Sequence, residues 1–252
     1  MERRLEAWAP DGVRLAVTVS GADGPPLLMI PGLGAVRRVY APIVPVLAQR
    51  LRVAVMDPRG TGESGGSPGP YTMSQLAADA VAVLDELGWE RAAVFGASMG
   101  GMVAQWVAID HPTRVWRLVL GCTGPGHAHA VPAHRDATRA LMGKGATSPE
   151  EAYRMATTVL YERGWADTHR DAVEAEIAHR GRNPVRAQVF SAQYEAVRGH
   201  DSWDRLPSIT APTLFVRGTA DAVMPVGNGR LLAERIPRAR WLPLEGRGHL
   251  FW

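Results

Sequence analysis

Short apolar runs alternate with helical patterns along most of the chain. The runs are rich in β-branched residues and span residues 13–19, 27–30, 52–56, 92–96, 116–121, 212–218 and 240–244. Between several of them lie amphipathic patterns such as "SQLAADAVAVLDELG", which predicts a helix that begins at Ser74 and ends at Gly88. Strands that alternate with helices predict an α/β fold, in which helices cover both faces of a mostly parallel central sheet.

The alternation stops after the fifth run, and the segment that follows shows helical patterns without a convincing strand. Ser148 lies three residues before Glu151, a capping-box spacing that predicts a helix start with Pro149 at its first position. Asn183 followed by a proline shows the same pattern of an N-cap residue with proline at the first helical position, and it predicts a second helix start. We therefore predict a helical cap at residues 123–207, inserted before the last two strands into a core of residues 1–122 and 208–252. Such a cap would cover the carboxyl end of the sheet, where open α/β sheets bind ligands.

The composition excludes several classes of protein. Hydrophobic residues make up 46% of the chain and no long polar tract interrupts them, which indicates one folded core rather than disorder. The formal net charge is only +3 and the arginines are scattered, so we predict no nucleic-acid partner. No stretch approaches the ~18 apolar residues of a membrane span and no secretory pattern opens the chain, so we expect a cytoplasmic protein with no membrane partner. Cys122 is the single cysteine, and we expect it to be a buried structural thiol.

The stretch "VFGASMGGMVAQW" places Ser98 between a predicted strand and a predicted helix. A sharp strand-to-helix turn strains its central residue and requires small neighbours, which Gly96 and Gly100 supply. The first N–H groups of the helix would point to the same place as the serine hydroxyl, where an oxyanion could be stabilised. Glycine-flanked serines also occur in ordinary turns, but the strand-to-helix position favours a nucleophile.

With this motif the chain resembles the α/β-hydrolase superfamily over essentially its whole length, and in particular its small capped members such as carboxylesterases and enol-lactonases. The resemblance implies a triad in the order Ser, acid, His, for which "LFVRGTADAVMP" offers Asp221 and "LEGRGHLFW" offers His249. It also implies two oxyanion donors, the backbone N–H groups of Met99 and of Leu33 in "MIPGLGAVRR", where Pro31 replaces the usual histidine. Independently, a serine hydroxyl needs a base such as histidine, and an acid must orient that base.

Other residues compete for these roles. Asp57 in "VMDPRGTGESGG" also follows a strand, but in the resembled family this segment is a structural turn in which the carboxylate and Arg59 tie loops together. His127, His129 and His134 suggest a metal site, yet no neighbouring Cys or carboxylate completes a ligand set, so we predict no metal and no cofactor. The remaining histidines are expected at a helix end (His111) or at the surface of the cap (His169, His179 and His200).

We therefore predict a hydrolase that cleaves a small-molecule carboxylic ester or lactone through an acyl-enzyme on Ser98. Thioester hydrolysis, C–C bond hydrolysis and cofactor-free perhydrolysis by the same residues remain open, as does a small-ligand receptor on the same fold. Aromatic side chains of the cap are candidates for substrate contacts, although helical spacing also suits packing against the core. These candidates are Tyr153, Tyr161, Trp165, Phe190 and Tyr194.

The sequence ends three residues after His249, whereas the resembled fold normally continues into a helix that covers the sheet. Large exposed apolar patches are unusual in soluble monomers. Association of copies of the chain through this region, as a homo-oligomer, is therefore a further hypothesis.

Overall fold

A computed structural model describes residues 2–66, 69–126 and 128–252 of the chain. Within these ranges eight strands form one sheet. They are β1 (Glu2–Trp8), β2 (Arg14–Ser20), β3 (Pro26–Ile30), β4 (Arg52–Met56), β5 (Ala92–Ala97), β6 (Val115–Gly121), β7 (Thr213–Gly218) and β8 (Ala239–Leu244). The sequence predicts the last seven of these strands to within one residue at each end, and it misses β1.

The sheet has the order β1-β2-β4-β3-β5-β6-β7-β8. The strands β3 to β8 are parallel, while β2 runs antiparallel to both β1 and β4. The predicted α/β fold with a mostly parallel sheet is therefore confirmed. The strand β1 lies at the edge, and Ala7 is its one buried residue, so its sequence "ERRLEAW" lacks the apolar run that identifies an inner strand.

Nine α-helices accompany the sheet in the described residues. They are α1 (Val44–Leu47), α2 (Met73–Glu86), α3 (Met99–Asp110), α4 (Arg135–Leu141), α5 (Pro149–Leu160), α6 (Trp165–Thr168), α7 (Arg170–Arg182), α8 (Ala187–Arg198) and α9 (Gly227–Arg235). No helix in this part of the chain is both long and apolar enough to span a lipid bilayer.

The helix boundaries test the predicted capping signals. Ser148 is the N-cap of α5 and its hydroxyl accepts the N–H of Glu151, as predicted. The helix α2 begins one residue earlier than predicted, because the hydroxyl of Thr72, and not that of Ser74, caps it. The prediction that a helix begins at Asn183 is wrong, because Asn183 is the C-cap of α7.

Apolar side chains pack on both faces of the sheet. On one face α2 and α3 bury residues such as Leu84 and Val107 against the strands in the larger core cluster. On the other face a smaller cluster contains Phe95 and Tyr40. The indole of Trp252 packs beside these two rings, and its N–H donates to the carbonyl oxygen of Val39 at 2.9 Å.

The helices α4 to α8 all lie between β6 and β7, in the segment predicted to be the cap. Within it Tyr153, Leu160 and Ile177 contribute to a separate apolar cluster. The helix α8 joins the main core through Val189, which also contacts the loop after β4. The next residue, Phe190, contacts the loop after β3. Because both loops follow the carboxyl ends of parallel strands, α8 covers that edge of the sheet. The boundaries of the cap at residues 123 and 207 remain a prediction.

Candidate active site

Ser98 occupies the turn between β5 and α3. Its backbone has φ 56° and ψ −122°, a combination that is strained for a residue with a side chain. Two contacts hold this conformation: its N–H donates to the carbonyl oxygen of Gly121 at 2.9 Å, and its carbonyl oxygen accepts the hydroxyl of Thr123 at 2.8 Å. The surrounding fold therefore fixes the strained turn.

The glycines around Ser98 are required for steric reasons. A Cβ at Gly100 would overlap the carbonyl oxygen of Ile30 at the end of β3, and a Cβ at Gly96 would overlap the backbone of Gly100. A Cβ at Gly32 would lie 3.3 Å from the Cβ of Ser98. The loop after β3 therefore runs directly beside the serine, and the predicted steric reason for the two elbow glycines is confirmed.

His249 and Asp221 form a buried pair. The ring nitrogen Nδ1 of His249 lies 2.9 Å from Oδ2 of Asp221, and the two residues are only 3% and 7% exposed. The other carboxylate oxygen of Asp221 accepts the backbone N–H groups of Val223 and Met224, each at 2.8 Å. Because these bonds fix the carboxylate, the acid can orient the imidazole ring and leave Nε2 for another partner.

The charge of Asp221 controls the protonation of His249. Burial is the largest single effect and would lower the pKa of the His249 ring, but the charge and hydrogen bond of Asp221, together with the neighbouring Cys122, outweigh it and raise the pKa well above its ordinary value. Behind the carboxylate lies the guanidinium of Arg217, with Nη2 at 3.6 Å from Oδ2. The carboxylate of Asp221 would stabilise an imidazolium that forms during a reaction, while the guanidinium, which contacts the same oxygen, partly offsets that stabilisation.

Ser98 and His249 line the same cavity, whose volume is about 600 Å³. Among the described atoms no hydrogen bond joins the Ser98 hydroxyl to the ring of His249. Catalytic hydrogen bonds often shorten only when substrate is bound. In the structure Asp221 therefore pairs with His249, and Ser98 and the imidazole ring line the same cavity.

Leu33 and Met99, the predicted oxyanion donors, line the same cavity. Met99 is the first residue of α3, and the first N–H groups of a helix have no acceptor within it. The N–H of Leu33 has no acceptor among the described residues. Both groups are therefore available to an oxygen atom bound beside Ser98.

The predicted substrate-contacting aromatics separate into two sets. Tyr153, Phe190 and Tyr194 line the cavity. Tyr161 and Trp165 are absent from its wall, because their rings stack on each other with centroids 4.0 Å apart. The second set stabilises the cap by packing, the alternative that helical spacing had left open.

Polar residues of the cap also line the cavity, and no local motif in the sequence marks them. The carboxylate of Glu176 accepts Nε of Arg180 at 2.9 Å and Nε of Arg38 at 3.2 Å. The guanidinium of Arg180 also lies over the ring of Tyr153, 4.2 Å from its centroid. The remaining lining is mostly apolar, from side chains such as Leu141, Leu160, Met102 and Met224.

Cys122 is buried, as expected, but it lies beside the His249–Asp221 pair. Its Sγ, a carboxylate oxygen of Asp221 and a ring nitrogen of His249 all lie within 4.8 Å of one another. The first residue after β6 reaches this place because β6 neighbours β5, the strand that precedes Ser98. The position of Cys122 directly after a predicted strand is the signal in the sequence for this location, but from the sequence we predict only that the thiol is buried.

The rival acid Asp57 has a structural environment. It accepts the backbone N–H groups of Arg37 at 2.7 Å and Glu63 at 3.0 Å, and it also pairs with the guanidinium of Arg37. The turn interpretation of Asp57 therefore agrees with the structure. Arg59 instead links its loop to helix α2 and to the turn between β1 and β2, since its guanidinium pairs with Asp79 and with Asp11.

Two of the remaining histidines differ from the predicted surface positions. The side chain of His179 is half-buried and lines the cavity. His200 is buried at 2% exposure and not on the surface, because Nδ1 accepts the indole N–H of Trp106 at 3.1 Å. Burial lowers the pKa of His200 to about 4, so the ring is neutral near pH 7. His129 and His134 belong to no cluster of metal-ligating side chains among the described residues, and His127 lies outside them.

Comparisons with known proteins identify the family of the chain and several relatives. The sequence profile of the alpha/beta hydrolase fold matches residues 25–251. The chain is 32% identical to "Putative carbamate hydrolase RutD" of Azorhizobium caulinodans, over 90% of this chain and 85% of that protein. It is 33% identical to the poly(3-hydroxyalkanoate) depolymerase of Ectopseudomonas oleovorans, over 95% of this chain and 83% of that protein. Its structure resembles the enol-lactonase of Burkholderia xenovorans LB400 with a TM-score of 0.83 and 25% identity, covering 98% of this chain and 92% of the other.

Proposed function

The chain belongs to the alpha/beta hydrolase fold family, and from this premise we propose that it is a serine hydrolase for uncharged carboxylic esters or lactones. One observation carries the proposal: a buried, acid-paired His249 shares one cavity wall with a serine held in a strained turn. Strain at a non-glycine residue persists only where the surrounding structure enforces it, and it is concentrated at functional sites.

The proposed reaction proceeds through a covalent acyl-enzyme. Oγ of Ser98 attacks the carbonyl carbon while Nε2 of His249 takes the hydroxyl proton, and the carbonyl oxygen becomes an oxyanion. The N–H groups of Leu33 and Met99 stabilise that oxygen. Collapse of the intermediate breaks the bond to the alcohol, which leaves with the proton from His249. Water, deprotonated by the same ring, then attacks the acyl carbon and releases the acid and Ser98.

The walls of the cavity favour an uncharged substrate of moderate size. A volume of about 600 Å³ lies in the range of small-molecule sites, and most of the lining side chains are apolar. Of the charged groups in the lining, Arg180 and Glu176 pair with each other and Arg198 pairs with Glu195. The names of the depolymerase and the enol-lactonase, which denote a polyester and a lactone substrate, support the same substrate class.

Carbamate hydrolysis is the second candidate, because a relative at 32% identity carries that name. A carbamate carbonyl would be attacked by Ser98 in the same way, with His249 protonating the leaving group. The smallest carbamates would leave most of this apolar cavity unfilled, so hydrophobic burial would contribute little to their binding. Esters with apolar acyl groups are therefore the first choice.

The proposal is tested by turnover of p-nitrophenyl butyrate, a panel of lactones and a phenyl carbamate, with wild type and Ser98→Ala compared side by side. We expect many turnovers per wild-type chain and a loss on the order of 10⁶-fold in kcat for Ser98→Ala. Residual activity of Ser98→Ala within tenfold of wild type would overturn the assignment of the nucleophile.

A fluorophosphonate probe separates an enzyme from a ligand receptor. A hydrolase is labelled at Ser98 and also turns over at least one ester, lactone or carbamate. Labelling of Ser98 without turnover of any panel member would favour the receptor and overturn the proposed hydrolase. Faster turnover of the carbamate than of every ester would favour the second candidate.

A further inference from the structure

We propose that the cap positions the oxyanion loop, residues 31–35, through a hydrogen bond from Gly34 to Gln193, which makes Gln193 a positioning residue for catalysis. The inference rests on the proposed function, because it assigns a purpose to the N–H of Leu33 as an oxyanion donor. Its evidence is a set of contacts that converge on Gly34 from two helices of the cap, α7 and α8.

Side chains of the cap contact the N–H and the carbonyl oxygen of Gly34 and fill the space beside its Cα. The N–H of Gly34 donates to Oε1 of Gln193 at 2.9 Å, in a buried bond between residues 159 positions apart. The carbonyl oxygen of Gly34 is 3.5 Å from Nη1 of Arg180. The ring of Phe190 lies 2.8 Å from the place where a Cβ on Gly34 would be. Side chains of the cap thus contact Gly34 on several sides.

The local backbone explains why the loop needs such support. The N–H of Ala35 donates to the carbonyl oxygen of Gly32 at 3.1 Å, which closes a turn with Leu33 and Gly34 at its centre. Gly34 has φ +61° whereas Leu33 does not have a positive φ, the pattern of a type II turn. A type I turn closes the same hydrogen bond with the central peptide group reversed. An acceptor for the N–H of Gly34 selects the observed orientation.

The orientation of this peptide group needs support because the loop contains two glycines. Gly32 and Gly34 flank the proposed donor Leu33, and glycine restricts the backbone less than any other residue. On the Ser98 side Gly32 abuts the carbonyl oxygen of Ala97 and the Cβ of Ser98. On the other side the hydrogen bond to Gln193 orients the peptide between Leu33 and Gly34, which adjoins the Gly32–Leu33 peptide that carries the donor N–H, so the position of that N–H depends on the orientation of this turn.

The environment of Gln193 favours positioning over simple stabilisation. Its side chain is fully buried, yet Nε2 has no hydrogen-bond partner among the described residues. An apolar side chain of similar size would remove this unsatisfied atom, which offsets the cost of leaving the buried N–H of Gly34 without its acceptor, so the fold should tolerate the change. The amide is therefore better explained by the orientation that Oε1 imposes on Gly34.

The test compares Gln193→Leu and Gln193→Met, which remove the acceptor, with Gln193→Glu, whose carboxyl oxygen can still accept the N–H of Gly34. We expect the two apolar variants to lose about tenfold or more in kcat, with KM nearly unchanged and Tm close to that of wild type, since an oxyanion donor acts in the transition state. We expect Gln193→Glu to recover most of the lost kcat. Ala196→Gly, a buried change on the same helix, should lower Tm without changing kcat.

A second measurement does not depend on turnover. Hydrogen exchange followed by mass spectrometry should show faster exchange in residues 32–36 for the two apolar variants than for wild type or Gln193→Glu. Unchanged exchange there, or kcat within twofold of wild type while Ser98→Ala is inactive, would overturn the positioning role and leave the proposed function intact. An active Ser98→Ala would instead overturn the proposed function, while the exchange result would still decide whether Gln193 orders the loop.

Discussion

Nδ1 of His249 lies 2.9 Å from Oδ2 of Asp221, and the opposite oxygen of the carboxylate is engaged by two backbone N–H groups. This division of the two oxygens gives the carboxylate one orientation. It also means that the ring carries its proton on Nδ1 when neutral, because a carboxylate can only accept. The second ring nitrogen is then an acceptor, the form that a base for Ser98 requires.

Asp221→Asn tests this orientation. An asparagine whose oxygen keeps the N–H groups of Val223 and Met224 turns its amide N–H₂ towards His249, which then places the ring proton on Nε2. We expect kcat to fall roughly 10⁴-fold with the fold retained. The measurement is ester turnover with circular dichroism as a check on folding. Asp204→Asn, at an exposed residue, is the control, and more than a tenth of the wild-type kcat in Asp221→Asn would contradict the role of the acid.

The pH profile follows from the raised pKa of His249. A base must be neutral, so kcat/KM should rise with pH and reach its half-maximum above the ordinary histidine pKa of about 6.5. The groups around the ring are Asp221, Cys122 and, beyond the carboxylate, Arg217. In Asp221→Asn the burial that lowers the pKa is no longer opposed by that charge, so any residual activity should reach its half-maximum at lower pH. A midpoint below 6 in wild type would contradict the direction of the shift.

The same pair links stability to pH. Because the folded state raises the pKa of His249, protonation favours the folded chain. This contribution is complete below the unfolded pKa and is lost as pH rises through the folded pKa. We expect the Tm difference between wild type and His249→Gln to shrink as pH increases through that range. A difference that grows with pH would show that the ring is buried in its neutral form.

The sequence identified the inner strands well because most of their residues are buried and form apolar runs, and it identified the edge strand β8 by its apolar residues although none of them is buried. It missed β1, whose side chains at the edge of the sheet are mostly exposed and polar. It also identified Ser98, Asp221 and His249 as candidates, because local motifs and a family resemblance mark them. The contact of Gln193 with Gly34 joins residues 159 positions apart and has no local pattern, so only the structure reveals it. The burial of His200 depends in the same way on a distant partner, Trp106.

Gly100→Ala tests the steric requirement at the elbow. Its Cβ would overlap the carbonyl oxygen of Ile30, which is backbone and cannot turn aside. We expect the free energy of unfolding to fall by roughly 1–3 kcal/mol, with a loss of turnover as the loop after β3 moves. Urea denaturation measures the change. Gly199→Ala, in ordinary helical backbone with a 3.4 Å contact, should change stability much less. Equal stability of the two variants would contradict the requirement.

Asp57→Ala separates a structural carboxylate from a catalytic one. It removes one of the two carboxylate partners of the Arg37 guanidinium, leaving Glu63, and the acceptor of two backbone N–H groups. We expect a loss of about 3 kcal/mol in the free energy of unfolding, because a largely buried ion pair is broken and two backbone N–H groups lose their acceptor. Turnover per folded chain should remain within a few-fold of wild type. A loss in kcat comparable to that of Asp221→Asn at full stability would show that Asp57 takes part in the chemistry.

Ala156→Phe tests whether the cavity receives the acyl chain of the substrate. Ala156 is a buried residue of α5 in the cavity wall. A phenyl ring at this position would fill part of the cavity, while Ser98 and His249 themselves would be unchanged. If wild type binds longer acyl chains in this space, each added methylene contributes about 0.8 kcal/mol, or roughly a fourfold gain in kcat/KM. In wild type we expect kcat/KM to increase with each methylene from acetate to hexanoate esters. In Ala156→Phe we expect this increase to be lost, while turnover of the acetate ester is retained. Thr158→Phe, on the exposed face of the same helix, should keep the wild-type dependence. An unchanged chain-length dependence in a folded Ala156→Phe would place the acyl group elsewhere.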